Sequence, residues 1–152
     1  MVTSQYTLLL YLKNLSIFHD LDHQVLKKIV AASTLMEVQA FKPIRELLTQ
    51  EEIYIVLVGE LVLYYHNAEK KPFQVSSIQK GEFFSLLDVD TSGLIISPSE
   101  NTVLMKVPLL FIEHLLIQYP KFKQNVIQAM NHSLRSSYEN LITHLGRGSN
   151  KV

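Results

Sequence analysis

The stretch EIYIVLVGELVLYY, Glu52 to Tyr65, holds two apolar runs, Ile53 to Val58 and Leu61 to Tyr65, parted by Gly59-Glu60. β-Branched and aromatic side chains fill both runs, which favours strands over a helix. Neither run alternates with polar residues, so both faces of each strand are expected to be covered, as in a sandwich or barrel core. Glycine at the first turn position suits a tight hairpin of the II′ type. The expectation is the central hairpin of a β-sandwich.

Outward from that hairpin, residues 34–107 keep a strand-like character. LMEVQAF, FQVSSI, LII and TVLMKV are short apolar pieces set apart by Lys42-Pro43, His66 to Pro72, Lys80-Gly81, Ser92-Gly93 and Ser97-Pro98-Ser99. In the last piece Val103, Met105 and Val107 alternate with Thr102, Leu104 and Lys106, the pattern of an outer strand. Helical periodicity brackets this region. Before it, Ser4 can cap TLLLYLKNL, with Leu8, Leu9 and Leu12 on one side. Asp20 or Asp22 can cap His23 to Ala32, whose stripe is Val25, Leu26, Ile29 and Val30.

After it, Pro108 opens a segment carrying Leu109, Ile112, Leu115, Leu116 and Tyr119, which Pro120 ends. A long helix is expected from Lys121 to Leu145, with Ile127, Met130, Leu134, Tyr138, Leu141 and Leu145 spaced by three and four. The chain therefore divides into N-terminal helices (1–33), a sandwich (34–107), C-terminal helices (108–145) and a disordered tail (146–152), all within one domain.

Composition narrows the function. The 152 residues are 47% hydrophobic and 18% charged, which is globular rather than disordered. Fourteen basic residues balance fourteen acidic ones. This chain alone thus lacks the basic excess that general nucleic-acid binding needs. With no cysteine, disulfides, thiolate catalysis and cysteine-based zinc sites are excluded. The run Tyr6 to Leu12 is a poor signal peptide, and no stretch reaches the ~20 apolar residues of a membrane span. A soluble cytoplasmic protein is expected.

The sequence is similar to the cyclic-nucleotide-binding-domain family, the sensor domains of the catabolite activator and of protein kinase A regulatory subunits. Leu15-Ser16-Ile17-Phe18 with Leu21 and Leu26 resembles the family's opening. Ile53 to Gly59 with Leu61 and Tyr64 resembles its central hairpin, and Lys80-Gly81-Glu82-Phe83-Phe84 the entrance to its phosphate-binding cassette. Thr102 to Pro108 resembles the strand after the cassette. These four motifs lie in the family's order over residues 12–140. The resemblance implies a mainly β fold: a jelly-roll (double-stranded β-helix) sandwich with helices before it and a long helix after it.

The resemblance also implies where ligand chemistry should lie. Nucleotide-binding members follow the double phenylalanine with glycine, which admits the phosphate, then glutamate, which accepts from the ribose. An arginine later pairs with the phosphate. Here Ser85 and Leu86 stand at the first two positions, and Ser92 falls at or near the third. The chain's arginines, Arg45, Arg135 and Arg147, all lie outside the cassette. Losing one partner of a buried charge pair costs ~2–5 kcal/mol, roughly thirty-fold to several thousand-fold in affinity. Tight binding of cyclic AMP or cyclic GMP is therefore disfavoured, and no other cofactor is implied. Gly81, Glu82, Phe84, Ser85, Leu86 and Ser92 remain the candidate residues of a modified pocket.

Other constellations yield to simpler readings. In HDLDH, His19 to His23, the aspartates serve as caps, so no metal site is assigned. Asp88 and Asp90 read as a solvated loop rather than an acid–base pair. No nucleophile elbow or Walker-type loop occurs, so no enzymatic activity is expected. Lys121 to Leu145 would span about 37 Å at 1.5 Å per residue, more than a small sandwich needs for cover. That excess points to a parallel homodimer through Ile127, Met130, Leu134, Tyr138, Leu141 and Leu145. The reading is a non-catalytic regulatory module that dimerises and contacts a protein partner. The alternatives are a small-molecule sensor, or the sensor part of a transcription regulator without its DNA-binding domain.

Overall fold

The computed structural model describes residues 5–66, 71–87 and 89–131. Helices α1 (Gln5–Lys13) and α2 (His23–Ala32) come first, joined through a 3-10 turn at Ser16–Phe18. Asp22 caps α2: its carboxylate accepts the Gln24 amide at 3.2 Å, at the positive end of the helix. Leu8, Leu9 and Leu12, with Val25, Leu26, Ile29 and Val30, are buried as their spacing predicts. The cap expected at Ser4 lies outside the described residues.

Among the described residues seven strands follow. They are β1 (Thr34–Val38), β2 (Glu52–Val58), β3 (Glu60–Tyr65), β4 (Phe73–Gln79), β5 (Phe83–Ser85), β6 (Leu94–Pro98) and β7 (Thr102–Pro108). They build two antiparallel sheets, ordered β1-β7-β2-β5 and β4-β3-β6. The jelly-roll sandwich expected from the sequence is present.

The expected central hairpin is not. β2 pairs with β5 and β7, whereas β3 pairs with β4 and β6, so the two runs belong to opposite sheets. Gly59 is the corner at which the chain passes from one sheet to the other. Its φ of 95° lies where L side chains rarely go. A Cβ there would press on Thr102 Oγ1 and stand 2.8 Å from Thr102 Cα and 2.9 Å from the Asn101 carbonyl oxygen. Thr102 fixes the corner further, because its hydroxyl accepts the Glu60 amide at 3.2 Å.

The unbroken apolar run of β2 has a physical reason. Ile53, Ile55 and Leu57 face a core shared with the helices, while Tyr54 and Val56 face the sandwich interior. β7 divides likewise: Val103, Met105 and Val107 turn to the helices and Leu104 to the interior. It lies between β1 and β2, so it is a central strand and not the outer strand its alternation suggested. The molecule thus has three layers: helices, a four-stranded sheet and a three-stranded sheet.

Pro108 ends β7 and occupies the N-cap of α3 (Leu109–Gln118), one residue before the first helical position expected for it. Ile112 and Leu115 of α3 are buried against the helical core. A fourth helix, α4, is described over residues 120–131, with Pro120 in its first turn. Phe122 stacks on Phe18 at 6.2 Å between ring centroids. The Asn125 side-chain amide donates to the carbonyls of Ile17 (3.2 Å) and His19 (2.7 Å). These contacts fasten α4 to the turn between α1 and α2. The tail at 146–152 lies outside the described residues.

Candidate functional site

The cassette region runs from the β4–β5 turn to the start of β6. Gly81 makes the turn with φ 87°, and its amide donates to the Val56 carbonyl at 2.7 Å. Glu82 is spent on the same turn: Oε1 accepts the Gln79 amide at 2.8 Å, and its carbonyl accepts the Val56 amide at 2.9 Å. Phe84 stacks on Tyr54 at 5.2 Å. The Tyr54 hydroxyl in turn accepts the Thr49 amide at 2.7 Å. Phe83 to Ser85 form a short strand that sequence reasoning missed, because three residues carry no periodicity of their own.

At the two positions where the resemblance leads one to expect nucleotide contacts, the side chains meet the protein itself. Ser85 Oγ accepts the Leu87 amide at 3.1 Å, closing a local turn. Leu86 is buried at 6% exposure in the sandwich interior, among Tyr54, Val56, Leu61, Ile96 and Leu104. Leu94, which opens β6, enters the same core, also at 6%. Two leucines therefore occupy the interior at either end of the cassette loop.

The described residues of the loop between them are mostly exposed, the apolar Leu87 and Val89 included. Asp90 Oδ1 accepts the Ser92 amide at 2.9 Å. That hydrogen bond, with a second from the Ser92 side chain, holds the Asp90 carboxyl below its ordinary pKa. The Tyr65 hydroxyl donates to the Asp90 carbonyl at 3.3 Å. Asp88 lies outside the described residues, so the Asp88–Asp90 pair is not placed. Ser92 sits in the turn before β6, with its amide held by Asp90.

A cation from far away in sequence also reaches the cassette. Arg45 lies on a 3-10 turn (Arg45–Leu47) after β1, and its Nη1 donates to Thr91 Oγ1 at 3.1 Å. Beside it is a surface depression of about 460 Å³ lined by Pro43, Arg45, Glu46, His66, Gly93, Leu94 and Ile95. No motif marks this juxtaposition. The one available signal was that Arg45 is the single arginine before residue 135.

Of the residues expected at a dimer interface, Ile127 and Met130 are described and exposed, at 47% and 57%. At about 100° per residue, Met130 lies roughly 110° and Ile127 roughly 170° round α4 from the buried Phe122–Asn125 face. Leu134, Tyr138, Leu141 and Leu145 lie outside the described residues. Among the described residues no helix is long and apolar enough to cross a membrane.

Solved structures share this fold. The chain has the fold of a cyclic-nucleotide-binding domain. A cyclic nucleotide-binding domain from Methylobacillus flagellatus superposes with a TM-score of 0.66 at 16% identity, over 92% of this chain and 83% of that one. The Thermus thermophilus catabolite activator protein gives 0.62 at 20% identity, over 84% and 62%. The regulatory subunit of a cAMP-independent protein kinase A from Trypanosoma brucei gives 0.63 at 18%, over 93% and 51%. The chain thus spans 62% of the activator's length and about half of the kinase subunit's. No protein-family model and no curated protein matches the sequence.

Proposed function

We propose that this cyclic-nucleotide-binding-like domain is a non-catalytic regulatory module that does not bind cyclic nucleotide tightly. It acts by dimerising through α4 and by presenting its sandwich to a protein partner. The observation that carries the first part is Leu86, buried where the resemblance expects the ribose-binding glutamate. A leucine accepts no hydrogen bond, and a ribose placed there would have to displace core side chains. A domain of this fold in a regulatory subunit described as cAMP-independent makes the reading consistent with a structural neighbour. The exposed pair Ile127 and Met130, continued at helical spacing by Leu134, Tyr138, Leu141 and Leu145, supports the second part.

Thermal melting with cyclic AMP and cyclic GMP tests the pocket. A ligand at a hundred times its dissociation constant adds ~2.7 kcal/mol, worth roughly 5–11 °C in a domain of this size. The expected shift is zero at millimolar nucleotide, and a clear rise with either would overturn the reading. Sedimentation tests the dimer: the wild-type chain is expected to dimerise and Met130→Glu to be monomeric. A wild-type monomer at high micromolar concentration would remove α4 as an interface.

A further inference from the structure

The depression beside Arg45 touches the sandwich core at Leu94, and its other lining residues lie outside that core. It opens on the outer side of β6, where Ile95 points away from the core that Leu94 and Ile96 enter. Pro43 and Ile95 supply apolar lining, and Arg45, Glu46 and His66 supply polar groups. Clefts of roughly 300–1,000 Å³ with an apolar floor and a few convergent polar groups are the usual form of a small-molecule site.

The charges indicate what would fit. Arginine carries five N–H donors in a planar fork. Here a bond from Nη1 goes to Thr91 Oγ1. Among the described residues no carboxylate lies within 4.0 Å of the guanidinium, although ion pairs are found at Lys106–Glu52 and Lys121–Asp20. The donors of the fork beyond the one given to Thr91 are suited to bidentate capture of a carboxylate. A phosphate dianion suits the place less well. Glu46 lines the same depression, and Asp90 neighbours the threonine that Arg45 holds. A carboxylate in the same lining disfavours a doubly charged anion and favours a molecule carrying a positive group of its own.

We propose that this outer depression binds a small amino carboxylate. Arg45 takes the carboxylate, Glu46 takes the ammonium group, and Pro43 and Ile95 pack on an aliphatic side chain. The site makes no use of the sandwich interior, so it is compatible with an interior filled by leucine.

The test uses the purified full chain and amide NMR spectra, with four probes added in turn up to ~10 mM, the weak end of useful affinity. L-Leucine carries both charges and an aliphatic arm. 4-Methylpentanoate lacks the amine, 3-methylbutylamine lacks the carboxylate, and inorganic phosphate supplies a bare anion. L-Leucine is expected to shift the amides of residues 44–46, 66 and 93–95, with at least tenfold weaker binding of the other three. Arg45→Met and Glu46→Gln are each expected to lose at least tenfold. Both residues are exposed, so each variant should melt within a few degrees of wild type. The proposal is overturned by no shift with L-leucine, by unchanged binding in Arg45→Met, or by phosphate or 4-methylpentanoate binding as well as L-leucine. Shifts confined to Tyr54 and Leu86 would also overturn it, since they would place the ligand in the interior. Cyclic AMP acting at Tyr54 and Leu86 would instead refute the proposed function and leave this site standing.

Discussion

Placing a glutamate back at position 86 measures how apolar the sandwich interior is. Leu86→Glu puts a carboxylate where the leucine is 6% exposed among Tyr54, Val56, Leu61, Ile96 and Leu104. Among the described residues no arginine or lysine belongs to that core. Burial without a partner should raise the folded-state pKa by two to three pH units above the unfolded ~4.3. The folded state then holds its proton more tightly than the unfolded chain does. Stability is therefore fully present below pH ~4.3 and lost as pH rises through the folded pKa near 6–7. At 1.36 kcal/mol per pH unit the loss is ~3–4 kcal/mol. Leu86→Gln controls for the lost leucine packing, which costs both variants ~1.5–3 kcal/mol. Melting curves from pH 4 to 8 should show the two variants together at the acid end. The glutamate variant should fall behind by roughly 6–16 °C at the alkaline end. Equal melting across the whole range would show side chain 86 to be solvated, and would refute the argument that leucine closes the pocket.

Gly59→Ala meets Thr102 and Asn101 at a φ of 95°, so both overlap and backbone strain apply; a loss of about 3 kcal/mol or more is expected in denaturant unfolding. A loss below 1 kcal/mol would mean that the corner relaxes. Asn125→Ala strips the Ile17 and His19 carbonyls of their shared donor and should cost about 2–4 kcal/mol in the same assay. It should also speed hydrogen exchange in α4 more than in β2. The Asp90 carboxyl should titrate below the ordinary Asp value of ~3.9 by carbon NMR. Its share of stability is present above that value and lost as pH falls through the lowered pKa. Ser92→Ala should bring only part of the shift back, because the larger contribution is the backbone hydrogen bond.

Much of this fold is legible in local pattern. The stripes of α1 and α2, and strands β1, β4, β6 and β7, fall where periodicity and turn residues put them. The error at Gly59 has a physical cause: a hairpin turn and an inter-sheet corner both need a glycine between two apolar runs. What distinguishes them is the packing of Thr102 against the corner, 43 residues further on. β7 misleads for a related reason, since alternation reports two different environments without saying that both are dry. Leu86 is an ordinary core residue by composition, and its meaning came only from the family pattern around Phe83 and Phe84. Arg45 was beyond reach, because the Arg45–Thr91 contact joins residues 46 apart across four intervening strands.

An ion pair in a sandwich interior carries a desolvation cost that its Coulomb attraction barely recovers, and replacing it by packed apolar groups is often neutral or stabilising by ~1–4 kcal/mol. Leu86 and Leu94 carry no such cost, since both ends of the cassette loop turn a leucine into one core. The loop between them keeps its path through exposed contacts: Ser85 to Leu87, Asp90 to Ser92, Tyr65 to Asp90 and Arg45 to Thr91. A ligand that ordered the loop would replace contacts the protein already makes to itself, so its differential affinity for the ordered state would be small. A ligand with no such differential cannot shift the equilibrium, however tightly it is held. The proposed function therefore assigns signalling to surfaces, α4 and the outside of the sandwich, and leaves the leucine-filled interior as scaffold.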